Sequence, residues 1–171
     1  MNSKDPIIID DFLDYNDFSY LANIAREVPY QISDIVPSGP SGPSEPNNHI
    51  LLVHMLYADF VPQTEYFKEF GIKLFSKIHG EFSVQAILRS KINCYPQTID
   101  NVVHRWHHDA EFSHKGALFN LNDCNGATEI MGYGKIESKA NRLILFDPFI
   151  PHRSYSCTDQ KFRFNVIINY F

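Results

Sequence analysis

From Glu81 to Phe171 the sequence is a succession of short strand-like runs, at 82–95, 103–109, 116–122, 127–131, 141–147 and 161–171. Turn-forming residues separate them: Tyr95-Pro96, Asn122-Asp123, Asn125-Gly126, Gly132-Tyr133-Gly134, Asp147-Pro148 and Thr158-Asp159. Strands this short cannot each bury a face alone. They must stack as two sheets or close into a barrel, which confines this half of the chain to a β-sandwich or barrel.

The residues before Glu81 follow a different period. Ile7-Ile8-Ile9 reads as a short strand, and a helix should follow it. Asp14 or Asn16 can cap that helix, and Phe18, Leu21, Ala22, Ala25 and Val28 share one face. Residues 50–57 read as a buried strand. Pro62 suits the first turn of a second helix, whose apolar face carries Phe67, Phe70, Gly71, Leu74, Phe75 and Ile78, and Gly80 closes it. Residues 33–48 contain S-G-P-S-G-P-S-E-P, which excludes helix or central strand and predicts one exposed loop around 37–46. Helices ahead of a run of strands predict an α+β, mainly β chain with the helices packed on one sheet.

Composition narrows the function classes. With 171 residues, 44% of them hydrophobic, the chain suits one packed domain and is too apolar to be disordered. No run approaches the ~18 apolar residues of a membrane helix, and no apolar stretch follows the first residues, so a cytoplasmic protein is expected. Residues 1–70 hold 3 basic and 11 acidic side chains, and residues 71–171 hold 12 and 9, which directs anion chemistry to the second part. The net charge of −5 argues against a nucleic-acid binder. Cys94, Cys124 and Cys157 form no C-x-x-C pair, so reduced thiols are expected rather than a zinc site or disulfide framework.

Four features of the strand-rich part belong together. On a strand, His107 and Asp109 point to one side. His152 follows 45 residues later, a distance that suits return on another strand. Two imidazoles and one carboxylate on one face of a metal leave its opposite positions open, the donor set of non-haem Fe(II) oxygen chemistry. Arg163 begins the final run, where alternation sets Arg163, Asn165, Ile167 and Asn169 against Phe162, Phe164, Val166 and Ile168. A guanidinium inside a barrel is costly unless an anion meets it, and a dicarboxylate would do so bidentately. Tyr95, just before the His-x-Asp segment, would bury a hydroxyl that needs a partner.

The ordered set resembles the 2-oxoglutarate/Fe(II)-dependent dioxygenases, in particular their prolyl 4-hydroxylase-like branch. The resemblance runs from Ile7-Ile8-Ile9-Asp10-Asp11-Phe12-Leu13 through Tyr95-Pro96, His107-x-Asp109, the Ala117–Asn122 strand and Asn141–Phe146 to Pro151-His152 and the Arg163–Phe171 strand. From Ser138 onward it is most similar to small enzymes of this kind from bacteriophage and bacterial genomes. It implies a double-stranded β-helix (a jelly-roll, cupin-like barrel) as a single domain over 1–171, with 1–80 as helix-rich support and 81–171 as the core. It implies that His107, Asp109 and His152 hold Fe(II) and that Arg163 pairs with the distal carboxylate of 2-oxoglutarate. Tyr95 and Asn120 are the positions implied to touch that cosubstrate. O2 would be consumed, 2-oxoglutarate would yield succinate and CO2, and a C–H bond of an amino-acid, peptide or protein substrate would be hydroxylated. A carboxylate at 109, rather than Ala or Gly, favours hydroxylation over halogenation.

The remaining candidates have plainer roles. His108 should face away from His107, and His104 and His114 read as surface residues first and as contacts to the ligands or the substrate second. Trp106 should pack, and the Gly126-Ala127-Thr128-Glu129 segment should be structural. Glu111 and Asp147 are possible acceptors for a ligand imidazole. Two other readings compete: a cupin-like metalloenzyme without 2-oxoglutarate, which Arg163 argues against, and a non-catalytic barrel that binds a metal or a partner.

Overall fold

The computed structural model describes residues 5–34 and 50–171. The loop expected at 37–46 lies outside the described residues. Chain order is β1 (Ile7–Ile9), α1 (Tyr15–Glu27), β2 (Gln31–Asp34), β3 (Ile50–Ala58), β4 (Val61–Pro62), α2 (Phe67–Phe70), a π-helical turn (Gly71–Phe75) and α3 (Ser76–Phe82). Then come β5 (Ile87–Pro96), β6 (Lys115–Asn120), β7 (Ala127–Ile130), β8 (Gly134–Glu137), β9 (Leu143–Phe146), β10 (His152–Tyr155) and β11 (Phe162–Tyr170). The described strands form a large sheet, ordered β1-β9-β6-β11-β5-β3-β2 with β4 beside β3, and a small sheet, ordered β10-β7-β8. Every pairing is antiparallel. This is a double-stranded β-helix with helices on the outer face of its larger sheet, the architecture the sequence predicts. The strands β1, β2 and β3 belong to that larger sheet, so residue 80 marks no break in it.

Strand alternation divides the large sheet into two faces. On β11, Phe164, Val166 and Ile168 join Phe119, Leu143 and Leu145 under the helix residues Leu21, Ala25, Phe70, Leu74 and Ile78. Ile167 turns the other way, with Leu118 and Ile144, to meet Ile130 and Ile136 of the small sheet. Burial of the first group fixes the register of β11, because a one-residue slip would drive Arg163 and Asn165 into the helices.

Asp14 caps α1, its Oδ1 accepting from the Asn16 and Asp17 amides at 3.0 and 3.1 Å. Pro62 does not open the second helix. It lies on β4 opposite Tyr57, at an edge where its missing N–H costs nothing. Asp59 and Phe60, both at positive φ, form the tight turn of that hairpin. The helical segment therefore begins at Phe67, runs through Gly80 and stops at Ser83, whose φ is 55°. Residues 103–109 are not a strand: only the isolated bridges Val103–Tyr155 and His107–His152 pair there.

Asn141 joins the two ends of the fold. Its Oδ1 accepts from the Leu13 amide at 2.9 Å and its Nδ2 donates to the Leu13 carbonyl at 2.7 Å, all buried. Removing the amide leaves both backbone groups unsatisfied. Asn141→Ala should therefore lower the unfolding free energy by about 2 kcal/mol in chemical denaturation. A change below a few tenths would show that water replaces the clamp.

Candidate metal centre

The site is built where the 103–109 segment meets the start of β10. The His107 amide donates to the His152 carbonyl and the His152 amide to the His107 carbonyl, both at 3.0 Å. This narrow pair brings the two imidazole centroids to 4.4 Å. Two residues on, the Asp109 amide donates to the Pro148 carbonyl at 3.2 Å. Asp109 Oδ1 then lies 3.9 Å from Nε2 of both His107 and His152. One ligand atom from each of the three lies within 4.8 Å of the others.

Both rings are oriented by backbone carbonyls. Nδ1 of His107 faces the Arg105 carbonyl at 3.3 Å, and Nδ1 of His152 faces that of Ile150 at 3.0 Å. With the proton on Nδ1, each Nε2 presents its lone pair beside Asp109. Asp147, expected as an acceptor for an imidazole, instead accepts from the Phe149 amide at 3.0 Å, and Glu111 is exposed. Burial pushes the His107 imidazole down to about 4, and the neighbouring His152 adds to it. Burial also lowers His152. Burial alone would raise Asp109, but His152, Arg89 and His107 together bring it below its ordinary value. All three donors are thus in metal-binding form at neutral pH. Asp109 Oδ2 is buried without a protein hydrogen-bond partner. Two neutral nitrogens and one carboxylate with an orphaned oxygen fit a divalent transition metal such as Fe(II).

The depressed His107 value has a consequence for metal-free protein. An unfolded chain takes up that proton near pH 6.5 and the folded one only near 4, so the unfolded state binds more protons in between. Stability is then lost as pH falls through this window, by about 2 kcal/mol between pH 7 and pH 5. Urea unfolding at the two pH values measures it; His152, lowered in the same direction, adds to the loss, and His107→Asn should remove the His107 share.

Arg163 opens β11 in register with Tyr95 and is fully buried. Its Nη2 donates to Thr128 Oγ1 at 3.0 Å, Nε to Ser138 Oγ at 3.2 Å and Nη1 to the Tyr155 carbonyl at 3.3 Å. The guanidinium carbon lies 5.0 Å from the Tyr95 ring centroid. Among the described residues no carboxylate pairs with it, and burial lowers its pKa. Gly126 makes this seat possible: a Cβ there would come within 2.7 Å of Arg163 Cδ and 2.9 Å of the Ser156 carbonyl.

Tyr95, Thr128, His107, Asp109 and His152 line one cavity between the sheets. Arg163 does not line the cavity itself but lies directly behind Tyr95 and Thr128, in contact with both. Asn120 is one step further back. It accepts from Ser138 Oγ at 3.0 Å, and Ser138 in turn accepts from Arg163. Asn120 thus braces the guanidinium rather than lining the cavity. His104 and His114 are buried, not on the surface. His104 stacks on Tyr95 at 5.6 Å and bonds Ser154 Oγ, while His114 Nδ1 faces the Phe112 carbonyl. His108 is half-buried at the cavity, its Nδ1 against the Phe149 carbonyl. Trp106 packs as expected, under the Arg153 guanidinium at 4.2 Å.

Sequence reasoning missed Arg89 and Lys91, which line the cavity beside the donors. Their signal was strand alternation: Arg89, Lys91, Asn93 and Tyr95 occupy one face of β5. Arg89 Nη2 lies 3.5 Å from Asp109 Oδ1.

No protein-family model and no curated protein matches the sequence. Solved structures do match. A prolyl hydroxylase from Trichoplax adhaerens, solved with a hypoxia inducible factor peptide, aligns over 99% of this chain and 84% of its own, with TM-score 0.67 and 17% identity. A prolyl-4-hydroxylase from Pseudomonas putida aligns over 96% and 91%, with TM-score 0.64 and 12% identity. A viral collagen prolyl hydroxylase from Paramecium bursaria Chlorella virus 1, solved with 2-oxoglutarate, aligns over 98% and 95%, with TM-score 0.61 and 12% identity. The chain has the fold of the 2-oxoglutarate/Fe(II) oxygenases.

Proposed function

We propose that this chain is an Fe(II)/2-oxoglutarate-dependent dioxygenase of prolyl hydroxylase-like type, which hydroxylates a C–H bond of an amino-acid, peptide or protein substrate. The observation that carries the reading is the buried Arg163 guanidinium. It has no carboxylate partner among the described residues and lies directly behind Tyr95 and Thr128, which line the same cavity as the His-Asp-His donor set. Such a charge is strongly unfavourable unless a ligand brings the counter-charge, and the distal carboxylate of a dicarboxylate would bring one.

His107, Asp109 and His152 would hold Fe(II), which when bound supplies the coordination and reduction of O2. The overall balance is one O2 and one 2-oxoglutarate consumed per substrate hydroxylated, with succinate and CO2 released. The protein's own part is placement. The backbone carbonyls of Arg105 and Ile150 hold both imidazoles in one tautomer. Arg163 would neutralise the distal carboxylate, and the Thr128 hydroxyl beside it would donate to the same group. The Tyr95 face would cover the carbon chain. Leu118 and Ile167 line the cavity between these groups and would keep water from the reacting atoms. A single catalytic domain over 1–171 and a cytoplasmic location belong to the same proposal. No described helix is long and apolar enough to cross a membrane.

Anaerobic titration with Fe(II) and then 2-oxoglutarate tests the reading. A saturable, weak visible charge-transfer band is expected from the chelate. Iron binding without the band would leave the cupin-like metalloenzyme. Folded protein that binds neither would leave a binding module.

A further inference from the structure

The cavity contains more positive charge than the proposed reaction uses. Asn93, Lys91 and Arg89 continue along β5 from Tyr95 on the cavity face. Tyr95 is in register with Arg163, Lys91 with Ile167 and Arg89 with Asn169. Lys91 therefore lies about 13 Å along the strand from the Arg163 level. It is at the end where Asp109 meets Arg89. The two cations stand beside the metal donors, on the side away from the Arg163 seat.

Neither cation is satisfied by the chain once a metal is present. Lys91 has no hydrogen-bond or ion-pair partner among the described residues, although it is half-buried. Its nearest charges act in opposite directions, Arg89 against the ammonium and Asp109 for it, and burial with Arg89 prevails, so its pKa falls to about 8. Arg89 has only Asp109, at 3.5 Å, and that carboxylate would be committed to the metal. Taken together, the cosubstrate's two negative charges and Asp109 balance the metal dication and Arg163, so Arg89 and Lys91 remain over. The third cation at the cavity, Arg153, is already paired with Glu129 at 2.6 Å. Arg89 is also about one-third exposed, so this end communicates with solvent and is open to a second ligand.

We infer that Arg89 and Lys91 form an anion subsite for the primary substrate, which therefore carries a carboxylate near the C–H bond to be oxidised. The inference rests on the dioxygenase reading and names its substrate class. Arg89 presents a planar fork and Lys91 a point charge, a pairing that grips a carboxylate from two sides.

Calorimetric titration of the protein loaded with Mn(II) and 2-oxoglutarate tests it. The probes are N-acetyl-L-proline, N-acetyl-L-leucine and N-acetyl-L-glutamine, each paired with its own carboxamide. At least one acid should bind tenfold or more tightly than its amide. Lys91→Met should erase that ratio and Lys91→Arg should keep it, while the 2-oxoglutarate affinity stays within twofold in both. Equal binding of acid and amide in every pair, no binding of any acid, or a ratio that survives Lys91→Met overturns the inference. A large loss of 2-oxoglutarate affinity in Lys91→Met also overturns it, by assigning Lys91 to the cosubstrate. Wild-type protein that fails to bind 2-oxoglutarate at the loading step overturns the dioxygenase reading and this inference with it. Normal loading with no discrimination removes this inference alone.

Discussion

Asp109→Ala should abolish Mn(II) or Fe(II) binding and any metal-dependent turnover of 2-oxoglutarate, with only a modest loss of stability in the metal-free protein. The two halves of this result have one cause. Asp109 is largely buried, its Oδ2 has no partner, and its Oδ1 faces two neutral imidazoles and one arginine. Its lowered pKa means that the carboxylate favours the folded state, but burial offsets much of that, so its removal costs only a modest amount of stability. Arg89, about one-third exposed, is hydrated in its absence. His152→Ala should abolish the same binding but destabilise the fold by about 1–2 kcal/mol. Its ring is buried against Phe146, with centroids 5.1 Å apart, and its removal leaves a hole. Metal titration and urea unfolding of both variants measure the two effects separately. Undiminished metal binding by either folded variant would remove the triad assignment.

The three candidate ligands could be picked out because residue type alone marks them. His107-x-Asp109 and His152 are residue types that few other chemistries require together, and Arg163 is a charge inside an apolar run. The reason they converge was only partly legible. Alternation on a strand was expected to align His107 with Asp109, yet residues 103–109 are held by two isolated bridges. The convergence comes instead from the reciprocal amide–carbonyl pair between His107 and His152, which no local pattern specifies. Pro62 misled for a related reason. Its fixed φ suits a helix start and an edge strand equally, and the tertiary pairing with Tyr57 decides between them. Asn120, likewise, is on the inward face of β6 as alternation requires, but only the fold reveals that Ser138 stands between it and Arg163. Arg89 and Lys91 belong to no motif, and only the place of β5 inside the large sheet, with one face against the helices and the other against the cavity, brings them beside the site.

Arg163→Met should weaken 2-oxoglutarate binding on the order of 100-fold or more while making the ligand-free protein more stable. The opposite signs distinguish this residue from a structural arginine. Met has nearly the length of the alkyl stem and no charge. In the absence of ligand the wild-type protein carries a fully buried guanidinium with three hydrogen bonds to neutral oxygens and no counter-ion among the described residues. Replacing a buried ion by an apolar side chain of similar volume typically stabilises by about 1–4 kcal/mol when its hydrogen bonds do not outweigh desolvation. When the distal carboxylate is present, the same substitution breaks a desolvated ion pair and leaves the anion uncompensated, at a cost of about 3–5 kcal/mol. Mn(II) affinity should be unchanged, because Arg163 touches none of the three donors. Gly126→Ala provides a control that preserves the charge. A Cβ 2.7 Å from Arg163 Cδ must displace the side chain, so 2-oxoglutarate binding should weaken here too, without the gain in ligand-free stability. Calorimetry with 2-oxoglutarate and unfolding curves with and without it give all four quantities. If Arg163→Met leaves 2-oxoglutarate affinity within twofold of wild type, the guanidinium does not serve the cosubstrate, and the observation carrying the proposed function is lost.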